Sequence, residues 1–192
     1  MTRTPALLAA LLAACSSPPR KEAMSVLDWH KAALEATAPE RVGTVAPGSP
    51  EEAAAVARFQ EYWSSFTPER VHSKLSSVYA PDAWLDDTIK SLHGLDAIEA
   101  YMAESAGGAE SCSVEPEDWT RKGPDFYMRW KMHVRFKKLK KGETTSTLGV
   151  THLRFNVDGK VAYHQDYWDS ARGIWEHVPV LGWAIRKIKA GL

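Results

Sequence analysis

The sequence predicts an α+β domain. Three helices precede and cover one side of a curved antiparallel sheet, and a short amphipathic helix comes after the last strand. Three observations carry this. Apolar residues recur at helical spacing from Ser49 to Gly108, and after that the period changes to two. The 192 residues, 44% of them hydrophobic, suffice for one well-filled core and are short for two.

At the start of the chain, residues 1–14 place Arg3 ahead of an apolar run, Pro5 to Ala14, that is too short for a bilayer, where about 20 such residues are needed. It reads as a secretory signal peptide. Leu12-Ala13-Ala14-Cys15 resembles a bacterial lipobox. That resemblance implies cleavage before Cys15, its lipidation, and a lipid-anchored place in the cell envelope. A start at Met24 is the alternative and would leave the protein cytoplasmic. Residues 15–48 read as a flexible tether with one loose helix from Ser25 to Ala38, since Pro39, Gly43, Pro47 and Gly48 break the chain beyond it.

Ser49-Pro50-Glu51-Glu52 starts the first firm helix. Ser49 is a cap, Pro50 suits the first turn and Glu52 completes a capping box. Val56, Phe59, Tyr62, Trp63 and Phe66 form its apolar face. Thr67-Pro68-Glu69 caps a second helix with Val71, Leu75 and Val78 inside. Ala83 to Asp87 is short and extended. A third helix opens near His93-Gly94-Leu95 and closes at Gly107-Gly108.

Strands come next, the earliest around Ser113 to Arg121. Phe126, Met128, Trp130, Met132, Val134 and Phe136 alternate with polar or amphipathic residues in a long strand. A turn at Lys140-Lys141-Gly142-Glu143 leads into Thr145 to Asn156, and Asp158-Gly159 turns into Val161 to Trp168. The tail, residues 173–192, carries Val180, Leu181, Trp183, Ile185 and Ile188 beside Arg186, Lys187 and Lys189. It reads as a helix packed against the domain as a lid or dimer element, with a membrane-interface helix as the other reading.

Three stretches together resemble the nuclear transport factor two superfamily, in its SnoaL-like and ketosteroid-isomerase-like branch. They are Val78 to Asp87, then Leu92 to Ile98, then Thr151 to Phe155 running through Gly159-Lys160-Val161 to Tyr167-Trp168. The resemblance implies a cone over residues 49–172 with an apolar pocket inside, and frequent homodimerisation through the sheet's outer face. It turns Trp63 (or Tyr62 after a one-residue slip), Met128, Trp130, Thr151 and Trp168 towards the pocket as ligand-binding residues, with His164 and Asp166, and turns Arg129, His152 and Arg154 outward.

Asp87 falls where ketosteroid isomerases carry their general base, and a carboxylate shielded by Trp and Met suits that role. The other reading is a turn cap in an acidic loop. Asp166 is the second candidate, since a carboxylate on a largely apolar strand needs a partner, and His164 shares its face. A structural pair is the alternative. Where the isomerases hold their enolate with a second, protonated aspartate, this chain has Thr151, which puts steroid isomerisation in doubt. A limonene-epoxide-hydrolase-like relay would need an inward arginine.

Lys plus Arg and Asp plus Glu both number 24, so no net field draws nucleic acid, and the basic run Arg135 to Lys141 reads as a solvated turn. Two cysteines without CxxC or HExxH motifs imply no disulfide framework and no metal, and no nucleotide or other cofactor is implied. The expected function is binding of a small, largely apolar molecule, with cofactor-free acid/base chemistry of isomerase, cyclase or hydratase type. The alternative is a non-catalytic binding or assembly module tethered to a membrane.

Overall fold

The computed structural model describes residues 24–139 and 142–192. The signal-type segment, Cys15 and the Lys140-Lys141 turn lie outside the described residues. The first described element, α1 (Val26–Ala36), starts at Ser25, whose hydroxyl accepts from Asp28 N at 3.1 Å.

The stretch from residue 25 to 48, expected as tether, is built into the fold. Ala33 and Val45 are fully buried, the Trp29 and Trp84 rings lie 4.6 Å apart, and Arg154 donates to Leu34 O at 2.8 Å. The Pro and Gly signals that suggested looseness make a defined corner. Pro39 opens the single turn α2 (Pro39–Val42), and Val157 N then reaches Val42 O at 3.2 Å. Breakers set the direction of a chain, while burial decides whether it stays put.

The three expected helices are α3 (Pro50–Trp63), α4 (Pro68–Val78) and α5 (Leu95–Gly107). Ser49 and Thr67 cap the first two through Glu52 N and Arg70 N. Glu52 departs from the capping box. Its carboxylate accepts from Gly48 N and pairs with Arg121 at 2.7 Å, tying the start of α3 to the sheet. Val56, Phe59 and Tyr62 of α3 and Val71, Leu75 and Val78 of α4 are buried, so the helical stripes face the core as read.

The strands are β1 (Tyr79–Asp86), β2 (Ser91–His93), β3 (Ala109–Lys122), β4 (Asp125–Phe136), β5 (Thr144–Phe155) and β6 (Val161–Trp168). They form one curved sheet in the order β2-β1-β6-β5-β4-β3. The short β2 had no sequence signal of its own. Every pairing is antiparallel except β1 with β6, which is parallel, with α5 and four strands intervening between them along the chain. Register shifts at Ala109/Ser111 and Pro116/Asp118 bend β3 around β4, the local source of the curl.

Helices α3 to α5 cover the concave face and α1 lies on the convex one. After β6 come α6 (Ser170–Gly173), a 3-10 turn (Trp175–His177) and α7 (Leu181–Ala190). The sequence favoured a last helix packed on the cone. Instead α7 rests mainly on the 3-10 turn, where Arg186 donates to Glu176 O at 2.8 Å and Lys189 pairs with Glu176 at 2.6 Å. The close approach at Gly182 explains this, since an added Cβ would sit 2.1 Å from Glu176 O. Leu181, Trp183 and Ile188 stay exposed. No helix of the described residues is long and apolar enough to cross a membrane.

Candidate functional site

A cavity of about 300 Å³ opens between the concave sheet and α3 and α5. Period-two alternation puts Met128, Trp130 and Met132 of β4, Thr151 of β5, and His164, Asp166 and Trp168 of β6 on its wall. Helix α3 adds Phe59 and Trp63. All eight residues expected at the pocket are therefore brought together: Asp87, His164, Asp166, Trp63, Met128, Trp130, Thr151 and Trp168.

Large indoles would plug so small a hollow unless they lay against its wall. Gly149, opposite Trp130 in the β4–β5 register, provides the space. A Cβ there would stand 2.2 Å from the Trp130 ring, and the Trp130 indole N–H donates to Thr151 Oγ1 at 2.7 Å. Gly173 does the same for Trp168, where a Cβ would meet the ring at 2.3 Å.

One hydrogen-bonded chain runs through the polar wall. The buried Tyr79 hydroxyl is 2.7 Å from His164 Nδ1, and His164 Nε2 is 2.9 Å from Asp166 Oδ1. Thr151 donates to the same Asp166 oxygen. Burial holds the Tyr79 phenol well above its ordinary pKa, so it keeps its proton beside Nδ1. His164 thus bridges Tyr79 and Asp166, with one ring nitrogen to each. Both described bonds to the Asp166 carboxylate end on Oδ1, and none reaches Oδ2.

Asp87 is held differently. Its Oδ1 accepts from Ile89 N and Lys90 N, both at 2.9 Å, and its Oδ2 accepts from the Tyr101 hydroxyl. Trp168 Nε1 donates to the Asp87 carbonyl at 2.8 Å, fastening the turn to β6. Thr88 within that turn has φ 72°, a strained value for a β-branched residue. Asp87 is thus both a turn cap and a cavity residue, half-buried and satisfied by three donors. The expected shielding by Trp and Met alone is corrected by these bonds.

Tyr79 and Tyr101 escaped the sequence reading. Tyr101 was within reach, because Ile98, Tyr101, Met102 and Ser105 recur at helical spacing on one face of α5. Tyr79 was not, because a parallel β1–β6 pairing was needed to set it against His164. Burial and the bond to Asp87 raise the Tyr101 phenol above its usual pKa. Cys112 also lines the cavity, and burial pushes its thiol up to about 12, which leaves it protonated and inert.

The expected outward arginines stay outside. Arg129 pairs with Asp118 at 2.5 Å, and Arg154 pairs with Asp125 at 2.5 Å on the convex face, and among the described residues neither Lys nor Arg lines the cavity. Among the described residues no group of three His, Cys, Asp or Glu side chains is placed to hold a metal ion.

These features define a class: an α+β cone with a mostly apolar cavity and a few hydrogen-bonded polar groups. The SnoaL-like domain profile matches residues 56–164, more than half of the chain, and the chain belongs to that family. Comparison by sequence with curated proteins finds no match.

Solved structures share the fold. A putative SnoaL-like polyketide cyclase from Shewanella denitrificans OS-217 is 20% identical, with a TM-score of 0.55 over 67% of this chain and 97% of that one. An LEH-like epoxide hydrolase from M. tuberculosis is 13% identical, with a TM-score of 0.54 over 73% and 99%. An NTF2-like protein of unknown function from Exiguobacterium sp. 255-15 is 16% identical, with a TM-score of 0.51 over 60% and 98%. At these identities the likeness speaks for the fold alone.

Proposed function

We propose that the cavity binds a small, largely apolar molecule and moves a proton on it without a cofactor, with Asp166 as the base. One observation carries this reading. The chain from Tyr79 through His164, together with Thr151 and Trp130, converges on one oxygen of Asp166 and leaves the other with no described partner at the wall of an apolar cavity. A carboxylate oriented on one side and free on the other can accept a proton, and His164 and Thr151 hold it in place. Proton transfer beside a carbonyl, cyclisation and hydration all fit such a base.

Among the described residues no arginine lines the cavity, which argues against an epoxide-hydrolase-type Asp–Arg–Asp relay, and Thr151 argues against steroid isomerisation. A binding pocket without chemistry is the second reading, favoured by the three donors that already occupy Asp87. Cys15 and the apolar run before it add a lipid-anchored location to the proposal. The convex face that would serve a homodimer is partly covered by α1, so a dimer would use the part around exposed Tyr167 and Leu148.

The base can be tested with 5-nitrobenzisoxazole, an apolar ring whose C–H proton is removed as its N–O bond breaks to give a coloured phenolate. Wild-type protein is expected to accelerate this, and Asp166→Asn to lose about 10²-fold or more of that rate. Equal rates for the two proteins, or a wild-type rate no better than free acetate, would remove Asp166 as the base.

A further inference from the structure

We propose that the molecule this cavity takes carries one positive charge, an organic ammonium group on an apolar body, with Asp87 as the residue that selects for it. This rests on reading the cavity as a small-molecule site and goes beyond the apolar ligand proposed above.

Three features of the wall point the same way. The first is charge. Asp87 and Asp166 both line the cavity: two backbone N–H groups and a phenol donate to Asp87, and the Thr151 hydroxyl donates to Asp166, which also bonds His164 Nε2. Their hydrogen bonds therefore fit two carboxylates. Among the described residues no Lys or Arg lines the cavity, and both ring nitrogens of His164 are taken up by Tyr79 and Asp166. The arginines that could have balanced these charges are engaged elsewhere, Arg129 with Asp118 and Arg154 with Asp125. Lys90 lies 5.1 Å over the Tyr101 ring and is not part of the lining.

The second feature is the aromatic surface. Phe59, Trp63, Phe66, Tyr101, Trp130 and Trp168 present rings to one space. Their π faces attract a cation and gain nothing comparable from a neutral group of the same shape.

The third feature is the position of Asp87. It sits in the β1–β2 turn beside Ile89, which is 36% exposed, while His164 and Thr151 are 2% exposed. Both carboxylates are half-buried, but Asp87 sits in an exposed turn while the groups that bond Asp166 are buried. The three donors and the Trp168 bond keep the Asp87 carboxylate in place, so it meets a ligand as a fixed charge and not as a mobile one. Both carboxylates also act on the Tyr101 phenol, which places their fields in the same space. A ligand lying along the cavity would put its ammonium beside Asp87 and Tyr101 and its reacting carbon towards Asp166.

Phenyltrimethylammonium and its neutral isostere tert-butylbenzene differ only in N⁺ for C and test this directly, with phenylacetate as the anion. Binding is read by quenching of tryptophan fluorescence and by calorimetry on the full chain. The cation is expected to bind at least tenfold tighter than the isostere, and phenylacetate weakest. Asp87→Asn, whose amide oxygen still caps the turn, is expected to weaken the cation about tenfold and leave the isostere within twofold. Tyr101→Phe, which frees Asp87 Oδ2 and keeps the charge, is expected to hold or improve the cation's affinity. Equal binding of cation and isostere, or an equal loss of both in Asp87→Asn, overturns the ammonium inference. Proton transfer from 5-nitrobenzisoxazole, measured on the same samples, then shows separately whether the Asp166 base stands. Binding of no probe overturns the inference and, with no proton transfer, the proposed function too.

Discussion

The two faces of the sheet carry similar polar residues on the same strands and treat them in opposite ways. On the convex face, His152 and Arg154 of β5 close on Asp125 at 2.8 and 2.5 Å, and His30 of α1 reaches the Tyr163 hydroxyl at 2.9 Å. Helix α1 lies over them, and each of these side chains has a described partner. On the concave face, His164 and Asp166 also pair, yet the pair borders open volume and one carboxylate oxygen has no described bond. A closed polar cluster stabilises a fold, while an incomplete one beside a cavity is available to a ligand. Composition does not distinguish the two. Completeness of hydrogen bonding does.

The largest effect that would break this contrast is on the concave side. Gly149→Ala drives a methyl into the Trp130 ring, where an added Cβ would stand 2.2 Å away. The indole must leave the wall, so the variant is expected to lose about 1–3 kcal/mol of stability. It should also lose probe binding in the cavity, measured by denaturant midpoint and fluorescence quenching. A variant that binds and folds like wild type would show that the indole does not depend on that space.

Next comes the paired comparison of the two carboxylates. Asp125→Asn removes the partner of both Arg154 and His152 and is expected to cost about 1–3 kcal/mol. Asp166→Asn, on the open side, should cost less than about 1 kcal/mol. Acid sharpens the same contrast. Burial pushes the Asp125 carboxyl up, but hydrogen bonds from Arg154 and His152 outweigh it and hold the group below its ordinary 3.8. Its contribution is present above that value and is lost as pH falls through the lower folded value.

Burial keeps His152 below its ordinary 6.5, against the opposing pull of Asp125. Its contribution is full above about 6.5 and shrinks as pH drops below it. Wild-type stability should therefore fall on acidification from neutral pH, first through His152 and then through Asp125. Asp125→Asn should flatten the lower limb. Denaturant midpoints of both proteins from pH 7 to pH 3 check this, and parallel curves would count against the convex cluster as the source.

The smallest effect concerns the turn that holds Asp87. Thr88→Gly relieves a φ of 72° and is expected to stabilise by about 1 kcal/mol. Because the glycine loosens the turn, the preference for phenyltrimethylammonium over tert-butylbenzene should decrease. A stabilised variant with undiminished charge preference would show that Thr88 is not needed to position Asp87.

Much of this was legible in the chain. Ser49 and Thr67 announced two helix starts, Gly107-Gly108 an end, and Met128, Trp130 and Met132 an inner stripe, because caps and periods are local and each is complete within a dozen residues. Asp87, Asp166 and His164 were readable as cavity residues only because a family resemblance supplied the face. The status of residues 25–48 was misread, since its burial comes from Trp84, Tyr163 and Arg154, far along the chain. Tyr79 was missed because its partner His164 lies 85 positions away.

The amino-acid order alone determined where helices start and stop and which residues of each strand share a face, since caps, turns and alternation act over neighbouring residues. Tertiary structure alone decided which polar groups are completed and which are left open to the cavity. That outcome depends on the parallel meeting of β1 with β6, on Gly149 beneath Trp130, and on α1 crossing the convex face. These contacts join distant segments through space, and no short window of sequence contains both partners.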